Sequence, residues 1–372
     1  MKVLVTGANG FIGKNLCSHL ALREDVEVLT FTRDTPESEL DGMVSAADFV
    51  FHLAGVNRPP VEKDFIDGNV GLTERLAASL EASKRPTPLL VTSSTQAALD
   101  NPYGRSKRQA EEIALSSGRE RGAPVFVYRL PGVFGKWSKP NYNSVVATFC
   151  HNLVLGLPLE VHEPEHQLNL AYVDDVIGDF IQVLDSDLFV ATQGFREVSR
   201  TFTVSLGDLR DRLESLHAMR DSLQVPALGD DLNRFLYATY TSYFEEDGFG
   251  YSLGKSVDDR GWLAEFVKSD AFGQIFVSKT RPGVTRGNHW HKTKIEKFLV
   301  VSGDAEITFR NKLNDSDVIR YVVNGDEARV LDIPAGYVHA ITNTGSNDLV
   351  TIFWASEIFD PKSPDTFFEA VE

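Results

Sequence analysis

The chain has 372 residues, of which 42% are hydrophobic and 24% charged, with a net charge of −16 and two cysteines. The acidic balance argues against nucleic acid and anionic membrane surfaces as partners, and two cysteines cannot build a disulfide framework. No apolar run reaches the length of a membrane span, and a first strand beginning at Lys2 leaves no room for a signal peptide. We therefore expect a cytoplasmic protein of about two domains.

Up to about residue 130 the pattern alternates between strands and helices. Strands are predicted at residues 2–6, 26–32, 48–53, 88–94 and 125–129, and helices at residues 11–22, 71–82 and 103–114. Such alternation is typical of a parallel sheet that has helices on both faces. We therefore expect an α/β domain in the first part of the chain.

After about residue 250 short β-rich runs replace this alternation. Turn residues such as Pro282-Gly283 separate the runs, and the spacing indicates an antiparallel barrel or sandwich. The runs lie at 274–279, 297–301, 306–310, 319–323, 328–333 and 350–354. The acidic, glycine-bearing stretch 245–250 marks the join, so we expect domains at residues 1–246 and 247–372.

Three glycines open the first predicted helix. Gly7, Gly10 and Gly13 have the spacing G-x-x-G-x-x-G directly after the first strand. Glycine allows a tight turn and lets the backbone approach a pyrophosphate, which binds at the helix N-terminus. The triplet alone would also fit a plain structural turn, but its place in the first strand–helix unit favours dinucleotide binding.

Tyr103 and Lys107 supply candidate chemistry beside this loop. Positions i and i+4 share one helix face, so the ammonium can lie near the phenol, lower its pKa and help it exchange a proton with a substrate oxygen. Two surface side chains four residues apart would show the same spacing by chance. Ser94 weighs against chance, because a hydroxyl at the end of the preceding strand can bind the same oxygen.

Residues 1–240 resemble the extended short-chain dehydrogenase/reductase family. The match rests on Gly7, Gly10, Gly13, residues 48–55, Asn69, Ser93, Ser94, Tyr103, Lys107, residues 129–135 and residues 172–176. The resemblance implies a Rossmann fold, a nicotinamide cofactor, often a nucleotide-sugar substrate, and Ser94, Tyr103 and Lys107 as the catalytic set. It implies cofactor contacts at Gly7, Asn9, Gly10, Phe11, Ile12, Gly13, Arg33, Leu53, Ala54, Gly55, Tyr103 and Lys107.

In this family, the residues just after the second strand determine whether NAD or NADP is preferred. NAD-preferring members of this family usually place an acidic residue there to bind the ribose 2′-hydroxyl. This chain has Thr32 and Arg33, with no carboxylate before Asp34. Arg33 can bind a 2′-phosphate, so NADPH is the expected coenzyme. The alternative is a solvated arginine at a strand end.

Three histidines and one glutamate are grouped in the second half. His289 and His291 stand at i and i+2, which places both on one face of a strand. Glu296 and the later His339 can complete a set of three imidazoles and one carboxylate. Such a set would hold one divalent metal per chain, with zinc favoured and iron or manganese compatible. The alternative is a metal-free sugar pocket lined by the same side chains.

The spacing around these residues resembles the cupin family. Residues 283–303 match its first motif, G-x5-H-x-H-x4-E-x6-G, and residues 334–343 match the core of the second. The second motif departs at its start, because Gly325 lies nine residues before Pro334 where six is usual. This spacing predicts a longer strand or a bulge. Residues 257–265 resemble the opening of cupins that act on 4-keto-6-deoxy sugar nucleotides. The expected fold is an α/β Rossmann domain followed by an all-β cupin barrel.

Taken together, the two halves resemble bifunctional enzymes of capsular-polysaccharide and O-antigen biosynthesis. The resemblance implies that the cupin epimerises C3 of a UDP-4-keto-2-acetamido-2,6-dideoxyhexose. The reductase would then reduce C4 with NADPH to give UDP-2-acetamido-2,6-dideoxy-L-talose. The resemblance also implies a homodimer formed through the cupin barrel.

Two other functions remain open at this point. The first is a sugar-nucleotide 3,4-ketoisomerase fused to a reductase, which differs in moving the carbonyl instead of exchanging the C3 hydrogen. The second is a non-catalytic, redox-sensing Rossmann protein with a binding cupin. The intact set Ser94, Tyr103 and Lys107 argues against the second.

Overall fold

The computed structural model describes residues 1–58, 61–187, 194–245, 248–313 and 317–372. Contacts divide the chain into two compact units: Met1–Glu214 with Arg234–Phe244, and Ser215–Asn233 with Glu245–Glu372. The predicted domain boundary at residues 246 and 247 lies outside the described residues. Within the described ranges, no helix is long and apolar enough to cross a membrane.

The first unit alternates strands and helices, as predicted. Its strands are β1 (Lys2–Thr6), β2 (Glu27–Phe31), β3 (Phe49–His52), β4 (Leu89–Ser94), β5 (Val125–Leu130), β6 (Gly132–Phe134), β7 (Gln167–Tyr172), β8 (Gly194–Arg196) and β9 (Phe202–Ser205). Its α-helices are α1 (Phe11–Leu20), α2 (Leu40–Ala46), α3 (Lys63–Phe65), α4 (Leu72–Ala82), α5 (Pro102–Arg121), α6 (Val145–Val154) and α7 (Val173–Asp185). Two further helices, α8 (Leu206–Ser222) and α9 (Asp231–Thr241), each have residues in both units. A π-helix spans Ile66–Gly71, and 3-10 helices span Glu37–Glu39 and Thr95–Ala98.

The main sheet of this unit is parallel, in the order β2-β1-β3-β4-β5-β8. Alternate side chains of β1 enter different cores: Val3 and Val5 pack with residues of α1 and α7, whereas Leu4 packs with residues of α2 and α4. All three are fully buried, which requires helices on both faces. A smaller sheet has the order β6-β7-β9.

Helix α5 begins and ends at residues suited to those positions. The side chain of Asn101 accepts a hydrogen bond from the Gly104 backbone N–H at 2.7 Å, and Pro102 occupies the first turn. The helix ends at Gly122, whose φ of 61° is left-handed. The N-terminal cap fixes the first turn of α5, which carries Tyr103.

The second unit consists mainly of antiparallel strands. They are β10 (Ser256–Asp258), β11 (Gly261–Ser269), β12 (Gly273–Thr280), β13 (Thr285–Trp290), β14 (Glu296–Ser302), β15 (Asp304–Asn311), β16 (Val318–Asn324), β17 (Val330–Ile333), β18 (Tyr337–Asn343), β19 (Leu349–Ala355) and β20 (Phe367–Phe368). One sheet has the order β10-β11-β12-β19-β14-β17, and the other β16-β15-β18-β13-β20. Phe298, Ile307 and Phe353 belong to a shared apolar core. The predicted fold class, a Rossmann domain followed by a cupin-like barrel, is confirmed.

The turn before β17 explains the irregular second cupin motif. The position six residues before Pro334 is Ala328, and its φ of 47° is left-handed. A glycine adopts that conformation without strain, whereas an alanine does not. The expected longer strand or bulge is not found: residues 325–328 form a turn, and β17 pairs with β14 without a register shift. An alanine stands where the motif has glycine.

The segment Ser215–Asn233 groups with the barrel, although the sequence boundary assigned it to the first domain. Backbone hydrogen bonds explain this grouping. The Val225 N–H donates to the Lys268 carbonyl at 2.7 Å, and the Lys268 N–H donates to the Leu223 carbonyl at 2.8 Å. The segment thus pairs locally with β11.

Candidate active sites

The glycine loop between β1 and α1 has the geometry that its sequence predicts. Gly7 has a φ of 73°, and a Cβ there would lie 2.7 Å from the backbone of Ala54. A Cβ on Gly13 would lie 2.2 Å from the carbonyl oxygen of Gly7. Gly10 is the N-cap of α1. Because side chains are excluded at Gly7 and Gly13, the helix N-terminus can lie directly against a phosphate.

The other candidate cofactor residues surround this loop. Asn9 is exposed, whereas Phe11, Ile12 and Leu53 pack against the core beneath it. Ala54 and Gly55 follow the end of β3, at the carboxyl edge of the parallel sheet. In open α/β sheets, ligands bind at this edge.

Arg33 lies in the turn after β2, and it is exposed. The turn is fixed by two hydroxyls: the Thr35 Oγ1 accepts from the Thr32 N–H at 3.0 Å, and the Thr32 Oγ1 accepts from the Asp34 N–H at 3.3 Å. Arg33 therefore stands on an ordered turn.

Ser94 and Tyr103 lie together at the carboxyl end of β4. Ser94 is the N-cap of the following 3-10 helix, where its Oγ accepts from the Gln96 N–H at 3.1 Å. Burial raises the pKa of the Tyr103 phenol, a hydrogen bond with Ser94 lowers it, and the nearby Tyr142 raises it further. The phenol is therefore neutral and protonated near pH 7.

Lys107 differs from its predicted role in one respect. Its Nζ donates to the Thr92 carbonyl at 2.7 Å, and it is not among the groups that shift the Tyr103 pKa. Burial lowers the pKa of Lys107 to about 8, although Glu111 acts in the opposite direction. The expected lowering of the phenol pKa by the ammonium is therefore absent in this arrangement.

Two buried residues whose sequence pattern predicts no catalytic role, Asn69 and His52, lie beside Lys107. Asn69, in the π-helix, accepts from the Val56 N–H at 2.8 Å and donates to the Ser106 Oγ at 3.0 Å. His52 contacts the Thr6 hydroxyl through Nδ1 at 2.8 Å, and burial lowers its pKa to about 3. A π-helix often marks a functional site, but the short turn Ile66–Gly71 has no periodicity that would reveal it.

A partly buried ion pair also holds α5 against the sheet. Glu111 accepts from Arg129 Nε at 2.9 Å and from Arg129 Nη2 at 2.7 Å. The same carboxylate accepts from the Ser93 hydroxyl at 2.5 Å. This network ties the helix that carries Tyr103 and Lys107 to β4 and β5.

In the barrel, the four predicted metal ligands come together. One ligand atom from each of His289, His291, Glu296 and His339 lies within 4.8 Å of all the others. His291, Glu296 and His339 are buried, and His289 is partly exposed. The expectation that both neighbouring histidines lie on one strand is met only in part. β13 ends at Trp290, just before His291, and its register shifts between Gly287 and His289.

Each histidine ring is oriented by a backbone group. His291 Nδ1 donates to the Asp365 carbonyl, and His339 Nδ1 donates to the Tyr337 carbonyl at 3.2 Å. His289 forms a hydrogen bond with the backbone of Gly287. Because the Nδ1 atoms of His291 and His339 are donors, their Nε2 atoms carry the free lone pairs.

Those two Nε2 atoms are buried and have no hydrogen-bond partner. Each lies 3.4 Å from Glu296 Oε2. Donors at about 2.0–2.2 Å from one tetrahedral ion would lie roughly 3.3–3.6 Å apart, so the spacing fits a shared cation. The donor set of three imidazoles and one carboxylate also fits a zinc, iron or manganese ion.

The charges of the cluster favour a cation as well. Burial raises the pKa of Glu296, whereas positive charge on the side of His291 and His339 lowers it well below its usual range, and a bound cation would supply such charge. Burial, with a further contribution from His339, lowers the pKa of His289 to about 4. At neutral pH the cluster therefore presents a carboxylate and a neutral His289 imidazole.

Comparisons with known proteins cover both units. The profile of the NAD dependent epimerase/dehydratase family matches residues 3–190, and that of the polysaccharide biosynthesis C-terminal domain matches residues 256–367. The UDP-2-acetamido-2,6-beta-L-arabino-hexul-4-ose reductase of Pseudomonas aeruginosa is 44% identical over 99% of this chain and 98% of its own length.

Solved structures are also similar to this chain. The capsular polysaccharide assembling protein CapF of Staphylococcus aureus is similar over 100% of both chains, with a TM-score of 0.93 and 42% identity. UDP-glucose 4-epimerase of Thermotoga maritima covers 65% of this chain with a TM-score of 0.55 and 17% identity, which shows a shared fold in that part alone.

Proposed function

Because the chain belongs to the NAD-dependent epimerase/dehydratase family, we propose that it epimerises and reduces a UDP-linked 4-keto-6-deoxy N-acetylhexosamine. It is a nucleotide-sugar enzyme of the reductase and epimerase type, with a role in polysaccharide biosynthesis, and its family implies a nicotinamide cofactor. In the finer proposal the barrel inverts C3 of a UDP-4-keto-2-acetamido-2,6-dideoxyhexose. The Rossmann unit then reduces C4 to give UDP-2-acetamido-2,6-dideoxy-L-talose.

Proton delivery to the C4 oxygen is assigned to Tyr103. Its phenol is protonated at neutral pH and has a hydrogen bond with Ser94, so both hydroxyls can bind one carbonyl oxygen. Lys107 is assigned to orient the coenzyme. When bound, NADPH supplies the hydride.

Coenzyme binding is assigned to the loop after β1 and the turn after β2. Gly7, Gly10 and Gly13 let the pyrophosphate approach the N-terminus of α1. Arg33 is exposed on its ordered turn, where its guanidinium can bind a 2′-phosphate. This arrangement supports a preference for NADPH over NADH.

Epimerisation is assigned to the barrel. His289, His291, Glu296 and His339 would hold one divalent cation, with zinc favoured by three imidazoles and one carboxylate. When bound, the cation supplies Lewis-acid stabilisation of charge on the sugar carbonyl. The neighbouring C3–H bond is acidic because it lies next to that carbonyl.

One observation carries the proposal: a single chain contains both a proton-donor pair and a cluster of histidines in which two buried Nε2 atoms have no hydrogen-bond partner. Ser94 and Tyr103 interact in one unit, and the Nε2 atoms of His291 and His339 converge on Glu296 in the other. The relative in Pseudomonas aeruginosa, named as a reductase of a 4-ulose, spans both units. The proposed domains are residues 1–246 and 247–372. The barrel is the proposed homodimer interface, and analytical ultracentrifugation would show whether a dimer forms.

The test uses a UDP-4-keto-6-deoxy N-acetylhexosamine in deuterated water. Proton NMR should show deuterium at C3 before any coenzyme is added, and NADPH should be oxidised once it is supplied. Migration of the carbonyl from C4 to C3 would instead identify a ketoisomerase. Failure to oxidise NADPH with any such sugar would contradict the reductase assignment.

A further inference from the structure

The C-terminal segment, residues 365–372, lies along the metal cluster. Its strand β20 pairs with β13, so that Phe368 is opposite His289 and Phe367 is opposite Trp290. The Phe368 ring meets the His289 ring edge to face, with centroids 6.2 Å apart. The last strand of the chain therefore covers the strand that carries the first candidate ligand.

Asp365 joins this segment to the loop between His291 and Glu296. Its main-chain carbonyl accepts from His291 Nδ1. Its carboxylate accepts three consecutive backbone N–H groups, from Lys292 at 2.9 Å and from Thr293 and Lys294 at 2.8 Å each. The Thr293 hydroxyl adds a fourth hydrogen bond at 3.1 Å.

These contacts hold Asp365 as an anion. Burial raises the pKa of its carboxyl, but the N–H groups of Lys294, Thr293 and Lys292 outweigh burial and keep the pKa well below its usual range. Charge-assisted hydrogen bonds of this kind are about twice as strong as neutral ones. One residue thus fixes both the loop and the adjacent histidine.

The end of the segment is anchored from β15. Arg310 donates to the Val371 carbonyl at 2.9 Å, to the Ala370 carbonyl at 3.0 Å and to Glu369 at 2.7 Å. Lys312 also contacts Glu369. Val371 is buried with Val338 and Ala340, the two neighbours of His339. The segment therefore touches the surroundings of all three candidate histidines.

We propose that residues 365–372 form a strap that positions the metal ligands, and that Asp365 is its principal positioning residue. A carbonyl can only accept a hydrogen bond, so His291 Nδ1 must be the donor and Nε2 must face Glu296. The three N–H contacts keep that carbonyl in place. The strap deepens the metal site proposed above and rests on it.

The experiment measures metal binding directly. Zinc affinity of the purified full chain is measured by competition with a chromophoric chelator, for wild type, Asp365→Asn and Asp365→Ala. Loss of a partner that orients a ligand typically weakens metal affinity by about 10–100-fold. We expect a loss in that range for Asp365→Ala and a smaller one for Asp365→Asn, which keeps the side-chain volume and one acceptor oxygen.

Cobalt substitution separates positioning from general stability. The absorption spectrum of bound cobalt reports ligand geometry, and in the Asp365 variants it should change even at saturating cobalt. Asp360→Asn is the matched control, since Asp360 is exposed and, among the described residues, accepts only from its near neighbours Lys362 and Ser363. Its zinc affinity should stay within about twofold of wild type.

The outcomes distinguish the strap from the metal site. If wild type binds neither zinc nor cobalt, the metal site itself is refuted, and the strap with it. If wild type binds both and the Asp365 variants match it in affinity and spectrum, the strap alone is refuted. Should Asp365→Ala not fold, the milder Asp365→Asn decides the question by the same two measurements.

Discussion

Near Tyr103, the buried polar groups of Lys107, His52 and Asn69 all have hydrogen-bond partners within the Rossmann unit. In the barrel, by contrast, the Nε2 atoms of His291 and His339 are buried with no hydrogen-bond partner. A buried polar atom without a partner costs free energy, and a cation bound between these two Nε2 atoms would offset that cost. The barrel cluster therefore has buried nitrogen atoms that are free to bind a cation, whereas the buried polar groups near Tyr103 are already satisfied by hydrogen bonds within their unit.

The largest expected effect is a loss of reduction in the Rossmann unit that leaves the metal site of the barrel unchanged. Tyr103→Phe removes the proposed proton donor, so NADPH-dependent reduction should fall by about 10²–10⁴-fold. Coenzyme affinity and metal content should be almost unchanged. Tyr251→Phe is the control, because it removes the same oxygen from an exposed ring in the other unit. Reduction within a few-fold of wild type would show that Tyr103 is not the acid.

The second prediction tests whether Arg33, in the Rossmann unit, binds the 2′-phosphate of the coenzyme. Arg33→Ala should raise the KM for NADPH by an amount equivalent to about 1.5–3 kcal/mol, the range for a hydrogen bond to a charged group. The KM for NADH should barely change. Arg119→Ala, an exposed arginine at the far end of α5, should alter neither. A wild-type preference for NADH would rule out the assignment.

The third prediction concerns Lys107, a buried amine that has a hydrogen-bond partner, and the way its contribution to stability changes with pH. Burial lowers the pKa of Lys107 from 10.5 to about 8. Between those values the unfolded chain holds a proton that the folded chain has released, so the contribution of Lys107 to stability rises with pH across that window. The stability gap between wild type and Lys107→Met should shift by about 3 kcal/mol over the same range.

Chemical denaturation at several pH values measures that shift. Lys362→Met, at an exposed lysine, is the control and should show no comparable change. A gap that stays constant from pH 8 to 10.5 would mean that burial does not perturb Lys107.

The smallest predicted effect concerns the residues that occupy left-handed backbone positions in the two units. The Rossmann loop uses a glycine at its left-handed position, Gly7, whereas the barrel turn uses Ala328. Ala328→Gly should raise the free energy of unfolding by about 0.5–1 kcal/mol, because it removes the strain of a left-handed alanine. Ala271→Gly, at an exposed position without a positive φ, should lower it. If both substitutions lowered the free energy of unfolding, the backbone at Ala328 would not be strained.

Much of the Rossmann sheet could be predicted because its strands are short apolar runs bounded by turn residues. The segment that forms α6 could not. Its sequence, Val-Val-Ala-Thr-Phe-Cys-His-Asn-Leu-Val, contains several β-branched residues, and a short apolar run does not distinguish a strand from a buried helix. The packing of the folded unit decides between them.

The metal cluster could be predicted because its ligands are side chains at fixed spacing. Two other contacts could not be read in the same way. Lys107 donates to a backbone carbonyl of Thr92, and every residue has such a carbonyl, so no sequence signal marks it. Asp365 lies far along the chain from His291, and only the pairing of β20 with β13 brings them together.

The most direct test of two separate sites in one chain is a crossed measurement on two variants. Deuterium incorporation at C3 and oxidation of NADPH are followed on the same 4-keto sugar nucleotide. His339→Ala should lose its metal and C3 exchange, yet still reduce a substrate that is already epimerised. Tyr103→Phe should exchange C3 hydrogen without oxidising NADPH. Loss of both activities in each correctly folded variant would contradict the account.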